Sequence, residues 1–134
     1  MDLIVDANIL FSILIKQGKT EELIFKNEFN LFTPEYIFEE FEEHKLEILD
    51  KTQRTNEDFD KLIDILKKRI KTISNEETEK FIPEAEKISP NKDDIDYFAL
   101  ALKLRCPIWS QDKELKSQSK IKIYSTEELI NLFE

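Results

Sequence analysis

The chain of 134 residues contains one cysteine, one histidine, one glycine and four prolines. A single cysteine excludes an internal disulfide, and with only one histidine beside it there is no Cys/His set for a conventional structural zinc site. No apolar run approaches the length of a membrane span. The opening Met-Asp-Leu-Ile-Val-Asp has neither the basic segment nor the apolar length of a secretory signal, so the expected compartment is the cytoplasm. Repeats, linkers and low-complexity segments are also lacking. The chain fits one domain over residues 1–134, large enough to bury a hydrophobic core without disulfide or metal staples.

What the sequence has in plenty is charge. Charged residues make up 37% and hydrophobic residues 40%, a composition that folds with a densely charged surface. Twenty-nine acidic residues outweigh twenty basic ones, for a formal net charge of −9. Affinity for a polyanion comes mostly from Lys and Arg neutralising phosphates, so this balance argues against a nucleic-acid partner unless the basic residues are concentrated. They do cluster, as Lys61, Lys67, Lys68, Arg69 and Lys71 in one stretch and Lys113, Lys116, Lys120 and Lys122 in another. Runs of this kind are more often solvated faces than binding patches.

Periodicity supplies the elements. Leu3-Ile4-Val5 is a short continuous apolar run that reads as a strand, and Asp6-Ala7-Asn8 leads into helical spacing at Ile9, Leu10, Ile13 and Leu14. Asn8 falls near the start of that helix, where an N-cap explains it as well as a functional role does. Gly18 is expected to end the helix as a C-cap, and Thr20 to cap a second short one. Phe29 to Phe32 predicts the second strand. Thr33-Pro34 then predicts a helix start, with Thr as N-cap and Pro first inside, running to about Asp50 along the stripe Ile37, Phe41, His44 and Ile48. At about 100° per residue Glu40 comes closest to that stripe, at the edge of the core, and His44 is expected to be packed.

Thr55 with Asp58 predicts a capped helix over about 56–71, followed by a short edge strand at Thr72-Ile73-Ser74. Ser74 with Glu77 repeats the capping pattern before a helix that Pro83 should kink or delay. From Asp93 to Asp112 the sequence reads as an acidic helix start, a helix burying Ile95, Phe98, Ala99 and Leu102, a break at Arg105-Cys106-Pro107, a strand over 107–110, and a final carboxylate. Ile121 to Tyr124 and the pair Ser125 and Glu128 predict a last strand and a capped last helix. Strands alternating with helices predict an α/β fold, a three-layer α/β/α sandwich around a central, mainly parallel sheet of about four or five strands.

In such a sheet the strand C-termini and helix N-termini share one edge, and ligands bind there. Four acidic positions converge on it: Asp6, Glu40, one of Asp93, Asp94 or Asp96, and Asp112. Like charges held close repel and raise one another's pKa, and a divalent cation resolves the repulsion. Oxygen-only donors select a hard ion, Mg²⁺ or Mn²⁺. Phosphate is the natural co-ligand of such ions, which points to metal-assisted hydrolysis of a phosphodiester. A blander explanation competes: among 29 acids some fall at element ends by chance, and helix N-termini favour acids whatever the function. Asp93 and Asp96 have the N-cap to N3 spacing of simple capping.

Four segments, in order and over nearly the whole chain, resemble the PIN domain family of small metal-dependent nucleases. Leu-Ile-Val-Asp-Ala-Asn at 3–8 resembles the family's first strand and first aspartate, and Thr-Pro-Glu-Tyr-Ile-Phe-Glu-Glu-Phe the helix with its second acid. Asp-Asp-Ile-Asp-Tyr-Phe-Ala-Leu-Ala-Leu and Pro-Ile-Trp-Ser-Gln-Asp-Lys resemble the segments carrying the third and fourth. The metal ligands this implies are Asp6, Glu40, Asp94 and Asp112. Asp94 is preferred because Ala99 and Ala101 stand where the family's small helix residues follow its third acid. Asp96 is implied as an accessory acid and Asp93 as a cap or a group behind the ligands, while Asn8 and Ser110 match positions that orient the acids or bound water. The resemblance further implies cleavage of single-stranded RNA with Mg²⁺ or Mn²⁺, often by the toxin of a VapC-type toxin–antitoxin pair and often as a homodimer, so that the expected partners are RNA, an antitoxin and a second copy. The acidic balance departs from that picture. A non-catalytic PIN-like module that binds RNA or protein is the main competitor. A phosphoryl-transfer domain fits less well, because Asn8 stands where a second aspartate would be needed and Asp50 is poorly placed as a phosphoacceptor.

Overall fold

The computed structural model describes residues 1–15 and 18–133. Its strands are β1 (Asp2–Val5), β2 (Asn30–Pro34), β3 (Ile70–Ile73), β4 (Ile108–Trp109) and β5 (Ile123–Tyr124). All pair in parallel in one sheet of order β3-β2-β1-β4-β5. The helices are α1 (Ala7–Ile15), α2 (Lys19–Ile24), α3 (Tyr36–Glu43), α4 (Lys45–Thr52), α5 (Asn56–Arg69), α6 (Asn75–Thr78), α7 (Ile82–Ile88), α8 (Ile95–Leu104) and α9 (Thr126–Phe133). Together they make the expected α/β sandwich. No helix among the described residues is long and apolar enough to cross a membrane.

The two central strands are apolar on both faces because both faces are covered. Leu3, Ile4, Val5, Ile108 and Trp109 are all fully buried. Helix α8 lies across β1, β2 and β4 with α7 beside it, while α1 packs on α2 and α4, and α2 on α9. In α8 Phe98 and Ala99 are buried as expected, together with Tyr97, Leu100 and Ala101, while Ile95 and Leu102 of the expected stripe are only half-buried. Trp109 donates its indole N–H to Thr126 Oγ1 at 3.0 Å and so ties β4 to the start of α9. Phe29 packs edge-on against Phe133 with ring centroids 4.8 Å apart.

Local capping signals produce the expected boundaries. Thr55 Oγ1 accepts from the Asp58 N–H at 3.1 Å at the start of α5, Ser74 and Glu77 form a reciprocal capping box, and Ser125 and Glu128 form another. Pro83 is the second residue of α7, after a 3-10 turn over Glu79–Phe81. Several boundaries differ from expectation: α5 gives way at Ile70 to β3, which ends before Ser74, β4 and β5 are shorter than predicted, and three further differences concern helix ends. Thr33 and Pro34 belong to β2, where Thr33 and Pro34 pair with Thr72 and Ile73 of β3. Pro34 fits there because β1 pairs with β2 only as far as Phe32, so the missing N–H interrupts no bond to β1. The helix expected to reach Asp50 breaks at His44 (φ −102°, ψ 18°) into α3 and α4. A 3.6-residue period counted from Ile37 therefore stops applying at His44, which lies exposed with Nδ1 3.8 Å from the Glu47 carboxylate. Gly18 precedes α2 in ordinary extended backbone (φ 163°) and caps it with its carbonyl, which accepts from the Glu22 N–H at 3.1 Å. The expected C-cap of the first helix involves residues 16–17, which lie outside the described residues.

Candidate functional site

After β1 the chain moves outward through β2 and β3, then returns to the other side of β1 for β4 and β5. The reversal makes the C-terminal ends of β1 and β4 the topological switch point of the sheet, the place where open parallel sheets bind ligands. Asp6 follows β1 and bonds its N–H to the Trp109 carbonyl at 3.3 Å. Its carboxylate is buried. It accepts from the Ile9 N–H at 3.0 Å and also from the Asn8 N–H and the Ser110 hydroxyl. Asp6, rather than Asn8, is thus the side chain that caps α1, since Asn8 is already the helix's second residue and its side chain is exposed. The three donors pull the Asp6 pKa down, but burial pushes it up more strongly, the Asp112 charge adds to the rise, and it ends above its ordinary value.

Ser110 joins two acids. Buried at the end of β4, it donates to Asp6 and accepts from the Asp112 N–H at 3.1 Å. Asp112 accepts from the Glu114 N–H at 3.0 Å and so caps a 3-10 turn over Lys113–Ser117. The third acid arrives on α8, whose approach is shaped by Asn91: its side chain accepts from the Asp93 N–H at 2.8 Å. Asp94 occupies the cap position of α8 yet makes no capping hydrogen bond with its side chain, so capping does not explain it. Burial raises its pKa to about 6, and the next causes are all carboxylates: Asp112, Asp6, Asp93 and Glu114.

The remaining positions stand alongside. Tyr36, on the first turn of α3, donates its hydroxyl to Asp96. Burial raises its pKa, and the charges of Asp96, Glu40 and Asp94 raise it further, which puts all three acids around one phenol. Glu40 itself is exposed on α3 rather than set at the core edge, and Asp93 is exposed as well. The structure therefore brings Asp6, Asp94 and Asp112 into mutual charge coupling, with Glu40 and Asp96 linked to them through Tyr36. Among the described residues no three His, Cys, Asp or Glu side chains converge closely enough to form a ready coordination shell. The donor chemistry nevertheless fits a hard divalent cation: oxygen atoms only, a desolvated carboxylate, and repulsion that a cation would relieve.

Sequence reading missed three groups. Tyr97, three positions after Asp94, accepts the Ala7 N–H on its hydroxyl at 2.9 Å across 90 residues, fastening α8 to the turn that carries Asp6. Tyr36 and Glu114 also face the acids. The available signal was a tyrosine in an otherwise apolar helical face, where a hydroxyl needs a partner.

Likeness to known proteins agrees with this architecture. No curated protein matches the chain. The fold is similar to that of a chain in the crystal structure of VapBC2 from Rickettsia felis bound to a DNA fragment from their promoter, with a TM-score of 0.65 and 15% sequence identity over 93% of this chain and 98% of that one. The PIN domain family profile matches residues 4–131, which takes in every strand of the sheet from the middle of β1 and the acids at its edge, and the chain therefore belongs to the PIN domain family.

Proposed function

We propose that the protein is a Mg²⁺- or Mn²⁺-dependent endoribonuclease that hydrolyses phosphodiester bonds of single-stranded RNA. The observation that carries this reading is the coupled trio Asp6, Asp94 and Asp112, three carboxylates from three separate segments in which burial first, and the neighbouring carboxylates after it, raise the pKa of Asp94 and Asp6. In this reading Asp6, Asp94 and Asp112 hold the ion, Glu40 completes the set, and Asp96 is an accessory acid. The ion, when bound, supplies positive charge for the phosphate and an acidified water. The protein's own contribution is positional. Ser110 fixes Asp6 relative to Asp112, Tyr97 fixes the Asp6 turn to α8, and Tyr36 holds Asp96 beside Glu40. PIN membership and the VapBC2 likeness support a toxin-type role with an antitoxin protein as partner, and the reading takes a homodimer as the working assembly.

The test is Mn²⁺ titration by calorimetry together with cleavage of single-stranded RNA, for the parent and for Asp6→Asn. Saturable Mn²⁺ binding and cleavage, both lost in Asp6→Asn, are expected. Equal cleavage by the two proteins would discard the site. The absence of a converged shell and the exposure of Glu40 favour one alternative, a non-catalytic RNA- or protein-binding module. That module would give a saturable, salt-dependent shift of RNA that stays intact.

A further inference from the structure

A nuclease with a net charge of −9 still has to hold a polyanion. One groove of about 560 Å³ gathers Lys67, Lys68, Arg69 and Lys71 along β3, at the edge of the sheet opposite β5, and three other, adjoining grooves carry cations away from Asp112. The first of the three, of about 300 Å³, starts at Asp112 and is lined by Ser110, Lys113 and Lys116, with Glu127 as a second acid beside Asp112. The second, of about 460 Å³, shares Lys116 with it and continues along Lys120 to Ile123. The third, of about 400 Å³, shares Lys120 and Lys122 with the second and ends at Arg105 and Pro107. They form one track around β5, an edge strand, from the C-terminal edge of the sheet to the N-terminal edge. At about 3.3 Å per residue the strand segment from Pro107 to Ser110 is roughly 10 Å long.

The other basic stretch lies along β3, at the opposite edge of the sheet, and its arginine is spent on the fold while its lysines are exposed. Arg69 in that stretch donates to the carbonyls of Ile24, Lys26 and Phe29, and Lys67 and Lys68 stand in the last turn of α5, where the helix dipole favours them. On the track Lys116 pairs with Glu128, but Lys120 and Arg105 are exposed, and Lys122 lies 5.2 Å from the centroid of the Tyr124 ring. Residues 113–124 hold four lysines and one acid, Glu114.

We propose that this track, through Arg105, Lys120 and Lys122, carries the phosphate backbone of a single RNA strand whose scissile bond lies at Asp112. The proposal rests on the ribonuclease reading and adds the path of the substrate to it. Three phosphates neutralised on a single strand contribute about 2 to the slope of log affinity against log salt, at about 0.7 each.

The experiment measures binding of a labelled single-stranded RNA of about 12 nucleotides, within the site sizes usual for such strands, across a salt series and with cleavage blocked by Asp6→Asn in every protein compared. One protein carries Arg105→Asn, Lys120→Gln and Lys122→Gln; Asn suits the left-handed backbone of Arg105 (φ 54°). The control carries Lys67→Gln, Lys68→Gln and Lys71→Gln, which changes the net charge equally, and thermal melting checks that both fold. The track variant is expected to bind at least about tenfold more weakly and with a slope lower by about 2, while the control stays near the parent. Equal slopes in the two triple variants would overturn the track, whether both fall or neither does, and would assign its charge to bulk electrostatics or to an acidic protein partner. Cleavage of the same RNA by the unsubstituted protein is read in parallel: cleavage with equal slopes discards the track alone, and neither cleavage nor binding discards the ribonuclease reading with it.

Discussion

Two regions of this molecule are crowded with carboxylates, and they differ in everything except composition. Glu35, just before α3, and Glu39, Glu42 and Glu43 on it line a groove of about 590 Å³ with Phe38, Lys67 and Thr72, and all four glutamates are exposed. At the sheet edge Asp6 is only 4% exposed, Asp94 is half-buried, and each is raised above its ordinary pKa. The glutamates keep their water and repel one another weakly. The aspartates have lost much of theirs and are held by backbone that leaves them little room to separate. Burial together with fixed geometry, rather than acid count, distinguishes a reactive set from a solvated face.

The largest expected effect breaks this contrast from the aspartate side. Asp112→Asn keeps an acceptor for the Glu114 N–H, so the 3-10 turn it caps should persist. The charge needed at the edge does not. Charge stabilisation by a bound metal is worth several kcal/mol and each 1.4 kcal/mol is tenfold, so RNA cleavage with saturating Mn²⁺ should fall by about 10³ or more. Substituting Glu35, Glu39, Glu42 and Glu43 together by Gln, with Glu40 kept, should leave the rate within about threefold, because none of these four touches the coupled set. A comparable loss in the α3 variant would move the active surface to the 590 Å³ groove.

A smaller effect concerns stability, and its sign can be worked out. Below its unfolded value of 3.8, Asp94 is protonated in both states and contributes nothing. Between 3.8 and about 6 the unfolded chain gives up the proton first, so stability falls as pH rises, and above about 6 the full penalty is present. Asp94→Asn should therefore stabilise the protein at pH 7 in the presence of EDTA, by about 1 kcal/mol after allowance for solvent screening, or a few degrees in Tm. As the pH falls from about 6 the parent should gain on the variant, and the difference should close only near 3.8. A variant less stable than the parent at pH 7 would mean that Asp94 makes a stabilising contact, and would remove the argument for a cation there. Mn²⁺ should raise the Tm of the parent and leave that of the variant unchanged.

How much of this contrast could be read in the sequence depends on the range of the contact involved. Capping pairs are three residues apart, so Thr55 with Asp58, Ser74 with Glu77 and Ser125 with Glu128 were legible. So were the continuous apolar runs of the two central strands, which carry Asp6 and Asp112 to one edge through parallel pairing. Thr33-Pro34 has the local chemistry of a helix start, but pairing with Thr72 and Ile73, about 40 residues away, makes it the end of a strand. The face on which Glu40 sits depended on a helix continuing through His44, where the backbone breaks. The hydroxyl of Tyr97 meets the N–H of Ala7 across 90 residues, and no periodicity encodes that contact. Acids placed by strand ends were therefore visible, whereas the tyrosines that hold them required the fold.

The smallest expected effect tests the glutamate side. Glu39 is four residues from Glu35 and Glu43 and three from Glu42, the spacings at which like charges on a helix destabilise it by about 0.2–0.5 kcal/mol per pair. Glu39→Gln should thus stabilise the protein by roughly 0.5 kcal/mol in urea denaturation at low salt, given that surface substitutions seldom exceed that size. Its salt dependence should separate it from Asp94→Asn. At 1 M salt the Debye length is about 3 Å, so repulsion between exposed glutamates is screened and the gain should vanish, while a half-buried aspartate is screened much less and most of its gain should remain. If both gains disappeared together, the aspartates would be as solvated as the glutamates, and the two regions would differ in position alone.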